Sequence, residues 1–138
     1  MTTSVPTADG TAFLLCDSVS QDTNGKTNVI GVFDTIFVAS VPAVHASMSA
    51  FFRLQLAPPF EGRRLQIAFT TPSGMRQTSP ELPLGVGPTG IAQGSINLAG
   101  FLLPEEGVYK FDLLLGGDRV NSYVIRVEKM RDEADALH

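Results

Sequence analysis

The chain has 138 residues, 43% of them hydrophobic and 17% charged, with a formal net charge of −4. That length and apolar content suit one domain able to bury a core without metal or disulfide, and they exclude wholesale disorder. The basic residues never cluster beyond Arg63-Arg64, so no phosphate-tracking stripe exists and nucleic acid is not an expected partner.

Residues 1 to 10 read as a flexible tail, with Pro6, Asp9 and Gly10 ahead of any apolar run and no positively charged start of a secretory leader. No run approaches the length of about 18 apolar residues that crosses a bilayer, so no membrane association is expected and the reading is cytoplasmic. Cys16 is the only cysteine. It allows no internal disulfide and reads as a small packed residue rather than a nucleophile.

From residue 11 to 127 the dominant period is two, the spacing by which a strand turns one face to a core. Ala12 to Val19 and Asn28 to Val38 are apolar stretches joined by a turn that contains Asn24-Gly25, which predicts a hairpin with a bulge or bend at Gly31. Asp22-Thr23-Asn24-Gly25 resembles the front of a calcium loop, but Lys26 stands where the third ligand belongs, so a plain turn is expected. Phe52, Leu54 and Leu56 alternate with Phe51, Arg53 and Gln55, and Leu65, Ile67 and Phe69 repeat the pattern. The Pro58 to Gly62 segment between them predicts a second hairpin.

Gln77 to Thr89 carries Pro80, Pro83 and Pro88 and is expected as an edge strand or long loop. Gly94 to Leu102 supplies another strand, with Ile96 and Leu98 inward. Pro104 to Gly107 then turns the chain, and Glu105-Glu106 reads as a solvated tip. Tyr109, Phe111, Leu113 and Leu115 alternate, Gly116-Gly117-Asp118 turns, and Tyr123, Ile125 and Val127 return, which is the clearest hairpin. A tyrosine that opens a late strand just after a corner predicts a hydroxyl bonded back to the turn. Residues 128 to 138 form a charged tail with Lys129 to Glu133 and Arg131 to Asp135 at helical spacing, too short for a stable helix.

Two stretches resemble a known family: Leu15-Cys16-Asp17 through Asn24-Gly25-Lys26 and Gly31-Val32-Phe33-Asp34 to His45, and Leu103-Pro104 through Tyr109-Lys110-Phe111. They are similar to an uncharacterised bacterial domain-of-unknown-function family, over roughly half of the chain. The resemblance implies a β-sandwich borne by a bacterium or phage and brings no activity. Pattern and resemblance together predict an all-β fold: an antiparallel β-sandwich, immunoglobulin-like, of about seven strands.

Asp17, Asp34 and His45 are the candidate binding residues, because neighbouring strands could bring them together at one end of the sandwich. The plainer expectation is an Asx turn at Asp34 and a satisfied structural His45, as turn bonding or a buried polar cluster rather than a site. No metal site, cofactor or enzyme activity is expected. Phe51 and Leu114 point away from the core in this register, and Phe60 and Phe101 add apolar bulk at strand ends, so these four are candidate interface residues. The leading functional expectation is a non-enzymatic interaction or structural module whose partner is a protein, either itself as a homo-oligomer or another. The alternatives are a small-ligand or carbohydrate binder using end loops, disfavoured by the absence of Trp, and a hydrolase or lyase built on Asp17, Asp34 and His45.

Overall fold

Apolar side chains at every second position need a shared interior, and two facing sheets provide it. The computed structural model describes residues 8–130. The first sheet contains β1 (Ala8–Gln21), β2 (Thr27–Val32), β5 (Ser49–Leu56) and β9 (Ile91–Asn97), in the order β2-β1-β5-β9. The second contains β3 (Thr35–Val38), β6 (Arg64–Thr70), β7 (Arg76–Thr78), β11 (Gly107–Leu115) and β12 (Asp118–Lys129), in the order β3-β12-β11-β6-β7. A two-residue strand β8 (Leu82–Pro83) joins it on β6, while β4 (Ala43–His45) and β10 (Phe101–Leu103) pair as a separate ribbon. Seven of the twelve strands have six residues or more, and these carry the sandwich.

Phe13 and Leu15 of β1 and Phe52, Leu54 and Leu56 of β5 share one buried cluster with Leu65 and Ile67 of β6. Tyr109, Phe111, Leu113 and Leu115 of β11 and Ile125 and Val127 of β12 complete it. Burying each large side chain contributes about 1.5–3 kcal/mol, and the sum works against the entropy of ordering the chain.

The β1–β2 hairpin forms as expected, and its turn is held by Asp22 Oδ1, which accepts from the backbone N–H of Asn24 at 2.8 Å and of Lys26 at 2.9 Å. The stretch after Gly31 departs from the expectation of one bent strand. Gly31 has φ +71°, and a Cβ there would collide with the Asp17 carboxylate. The chain leaves the first sheet after Val32, and β3 pairs in parallel with β12 of the second, so the sandwich is not antiparallel throughout.

A second correction concerns Pro58 to Gly62. β5 and β6 lie in different sheets, so this segment crosses between layers and is not a hairpin turn. Both strands direct leucines to the same interior from opposite sides, which requires the crossing. Arg63 Nη1 steadies it by donating to the Pro59 carbonyl at 3.0 Å. The stretch expected as one strand over residues 94 to 102 is likewise broken, since a turn separates β9 from β10. Gln77 to Thr89 does lie at an edge, as β7 and β8.

The first strand begins at Ala8, inside the expected tail, and the helical-spacing pairs after Lys129 lie outside the described residues. No helix among the described residues is long and apolar enough to cross a membrane.

Tyr109 is fully buried, and its hydroxyl donates to the Glu105 carbonyl at 2.6 Å while accepting from the Glu105 N–H at 3.1 Å. The expected corner is therefore present. The tip beside it is more engaged than expected: Glu105 Oε2 accepts from the Ser73 hydroxyl at 2.6 Å, and Glu106 Oε1 from the Lys129 N–H at 2.7 Å.

Tyr109→Phe strands both Glu105 backbone groups and is expected to cost about 1–2 kcal/mol, read as a lower urea midpoint. Burial pushes the Tyr109 phenol above its ordinary range, so the unfolded chain releases that proton first. Stability should hold below pH of about 10 and fall as pH climbs toward the folded-state value, with a shallower fall in Tyr109→Phe. Equal alkaline slopes in the two proteins would contradict this.

Candidate functional site

The strand switch after Val32 brings the expected binding residues to one end of the sandwich without joining them. Asp17 lies on β1 with its exposed carboxylate against Gly31. Asp34 follows the switch, and its Oδ1 accepts from the Thr35 hydroxyl at 3.1 Å while its carbonyl accepts from the Arg126 N–H at 2.7 Å. His45 ends β4, half-buried, with its ring centroid 5.9 Å from that of Phe33. Its Nε2 is buried without a hydrogen-bond partner. No hydrogen bond or ion pair links any two of these three among the described residues.

Phe33 is the anchor of this end. Its carbonyl accepts from the Tyr123 hydroxyl at 2.6 Å, which ties the switch segment to β12. Burial, then the Asp34 and Cys16 charges, push the Tyr123 phenol up. Cys16 is buried, and burial followed by the Asp17 charge pushes its thiol up as well. A thiol held protonated is a poor nucleophile. No group of three or more His, Cys, Asp or Glu that could hold a metal occurs among the described residues.

The candidate interface residues separate into two kinds. Phe51 lies on the outward side of the first sheet, half-buried, directly across from Leu14 on β1 and Ser95 on β9. Leu114 also points outward, from the second sheet, but is only 8% exposed. Its register partners Gln66 and Arg119 flank it with longer side chains, so the expected exposure is not found. Phe60 and Phe101 pack against the core cluster, half-buried, and so do not stand free either. Phe101 meets Phe69 edge-on at a centroid distance of 4.6 Å.

Around Phe51 the outward side of the first sheet forms a band. Alternation from buried Phe13, Leu15, Ala50 and Phe52 turns Leu14, Ser49 and Phe51 outward, and Ser18 is exposed further along β1. The register sets Val32 across from Cys16, Ile30 across from Ser18, and Asn97 across from Ser49. Ile30 is 53% exposed and Val32 55%. The band ends at Arg53, whose Nη1 donates to Gln93 Oε1 at 2.5 Å.

One polar feature escaped the sequence reading. Asp112, on the outward side of β11, is buried, with Oδ2 2.9 Å from Arg76 Nη1. Its Oδ1 has no hydrogen bond and lies 4.0 Å from Lys110 Nζ. A carboxylate in an alternating strand looks solvent-facing, and its partner lies far off in sequence.

Two packed sheets, a tyrosine corner and a strand that changes sheet define the class: an immunoglobulin-like β-sandwich. Within that class the chain belongs to the family of unknown function DUF6941, which matches residues 11–128. Part of the alkylpurine DNA glycosylase AlkC from Pseudomonas fluorescens is similar in structure, with a TM-score of 0.55 and 11% identity. The match covers 88% of this chain and 30% of that one, so the chain spans under a third of the glycosylase, and the likeness shows the fold alone. An immunoglobulin-like protein from Pseudomonas aeruginosa is similar at 15% identity and a TM-score of 0.44, over 88% of this chain and 96% of that one. No curated protein matches the chain.

Removing the cation from a buried carboxylate leaves it uncompensated, although the exposure of Arg76 moderates the loss. Arg76→Met is expected to lower stability by about 1 kcal/mol in urea denaturation. The double variant Arg76→Met with Asp112→Leu should recover most of it. A double variant weaker than the single would contradict the pairing.

Proposed function

We propose that this domain is a non-catalytic interaction module that works through the outward side of its first sheet, with a second copy of the same chain as its partner. The observation that carries the reading is the band of Leu14, Ile30, Val32 and Phe51, interleaved with Ser18, Ser49 and Ser95. Among the described residues it holds no carboxylate, ammonium or guanidinium before Arg53. Two chains of net charge −4 repel in general, but a surface without charge meets its own copy without that cost. A two-fold axis through the band would set Val32 and Ile30 of each copy against the apolar side chains of the other. Each Å² of apolar surface so covered contributes about 25 cal/mol.

That no hydrogen bond or ion pair joins Asp17, Asp34 and His45 among the described residues supports a domain that acts by contact rather than by chemistry. A single unpaired, buried thiol also suits the reducing interior of a cell.

Native mass spectrometry and sedimentation should find a dimer that grows with concentration. Val32→Glu places a carboxylate in the band at an exposed position and should return the chain to monomer. Val44→Glu, at an equally exposed position on β4 outside the band, should leave the dimer intact. A wild-type chain that stays monomeric at every concentration removes this reading.

A further inference from the structure

We propose that a cavity of about 480 Å³ on the flank of the sandwich, between edge strands β7 and β9, binds a small uncharged molecule with an aromatic or aliphatic body. The site is separate from the outward band of the first sheet and stands without it.

Its walls come from both sheets and from the β4–β10 ribbon. Phe69, Leu98 and Phe101 line it, and Met75 and Leu102 stand at its rim, 60% and 54% exposed. These two are among the largest exposed apolar side chains described, and an occupant of the cavity would cover both. A smaller cavity of about 120 Å³ shares Phe69, Leu98 and Phe101 as walls and reaches Phe111 in the core. The larger volume falls within the range of about 300–1,000 Å³ typical of small-molecule sites.

The polar groups decide the chemistry of the occupant. Among the described residues no Asp, Glu, Lys, Arg or His lines the cavity. A charged ligand would lose hydration there and gain no counter-charge. Gln77 and Asn97 do line it, and their side-chain amides are engaged by no hydrogen bond among the described residues. Each offers a donor and an acceptor to a carbonyl, amide or hydroxyl. The Thr71 hydroxyl is already used, since it accepts from the Met75 N–H at 3.1 Å.

The walls favour a small molecule over an added peptide strand. Strand addition needs a row of free main-chain groups. Here the β9–β10 turn directs its Leu98 N–H to the Met48 carbonyl at 2.9 Å and its Gly100 N–H to the Ala46 carbonyl at 3.0 Å. On the other side, β7 is only three residues long.

The test uses N-phenyl-1-naphthylamine, a neutral probe with a flat apolar body and one N–H, titrated into the full chain and followed by its emission. The expected result is saturable binding of one probe per chain with a blue-shifted spectrum. Met75→Asp and Leu102→Asp, two exposed and independent rim positions whose folding is checked by circular dichroism, should each weaken binding by about tenfold or more. Val32→Glu should bind like the wild type, so loss of the dimer and loss of this site are distinguishable. The anionic analogue 1-anilinonaphthalene-8-sulfonate should bind more weakly than the neutral probe. Non-saturable binding, one probe per two chains, rim variants that bind like the wild type, or equal affinity for the sulfonate would each overturn the proposal.

Discussion

The interior that holds Phe52 and Leu54 of one sheet with Phe111 and Leu113 of the other depends on strict alternation along each strand. Because side chains two apart share a face, placing Phe13 and Leu15 inside obliges Leu14 to face out, and placing Phe52 inside obliges Phe51 to do so. A slip of one residue in β1 or β5 would exchange core and surface wholesale. The outward band is therefore the complement of the core. Its apolar character is an addition that burial of the inner face does not require.

The two sheets also have to be held in one relation to each other, and polar contacts at the strand connections do this. The Tyr109 hydroxyl closes the corner before β11, and the Tyr123 hydroxyl reaches the Phe33 carbonyl where the chain passes from the first sheet to the second. Arg63 steadies the crossing from β5 to β6 through the Pro59 carbonyl. The chain passes between the two sheets five times along the described residues, and each of these bonds satisfies a backbone group in a connection that would otherwise leave it unpaired. The cavity lies at a margin where the two sheets do not meet, lined by the β9–β10 turn and β7.

Much of this was legible in the residues. The period of two located β5, β6, β11 and β12, apolar runs around a turn located β1 and β2, and part of β9 was placed; Asp22 to Gly25 announced its turn, and the position of Tyr109 after a corner announced its hydrogen bond. Sheet membership was not legible. Asn28 to Val38 is apolar on both sides of Gly31, and nothing in that run says that β3 will pair with β12. Pro58 to Gly62 has the composition of a turn whether it closes a hairpin or arches between layers. The outward direction of Phe51 could be read from alternation, but the burial of Leu114 depends on Gln66 and Arg119, neighbours supplied by other strands. The candidate site was less legible: Asp34 bonds the neighbouring Thr35 hydroxyl where an Asx turn was expected, and the Asp112–Arg76 pair and the cavity arise from segments distant in sequence.

The outward side of the first sheet, as the proposed contact surface, is open to a direct test. A concentration series of amide and methyl spectra by nuclear magnetic resonance reads this residue by residue. Shifts and line broadening that grow with concentration and are confined to Leu14, Ile30, Val32, Phe51 and their immediate neighbours are the predicted result. Spectra that do not change with concentration, or changes centred on the second sheet, would contradict it.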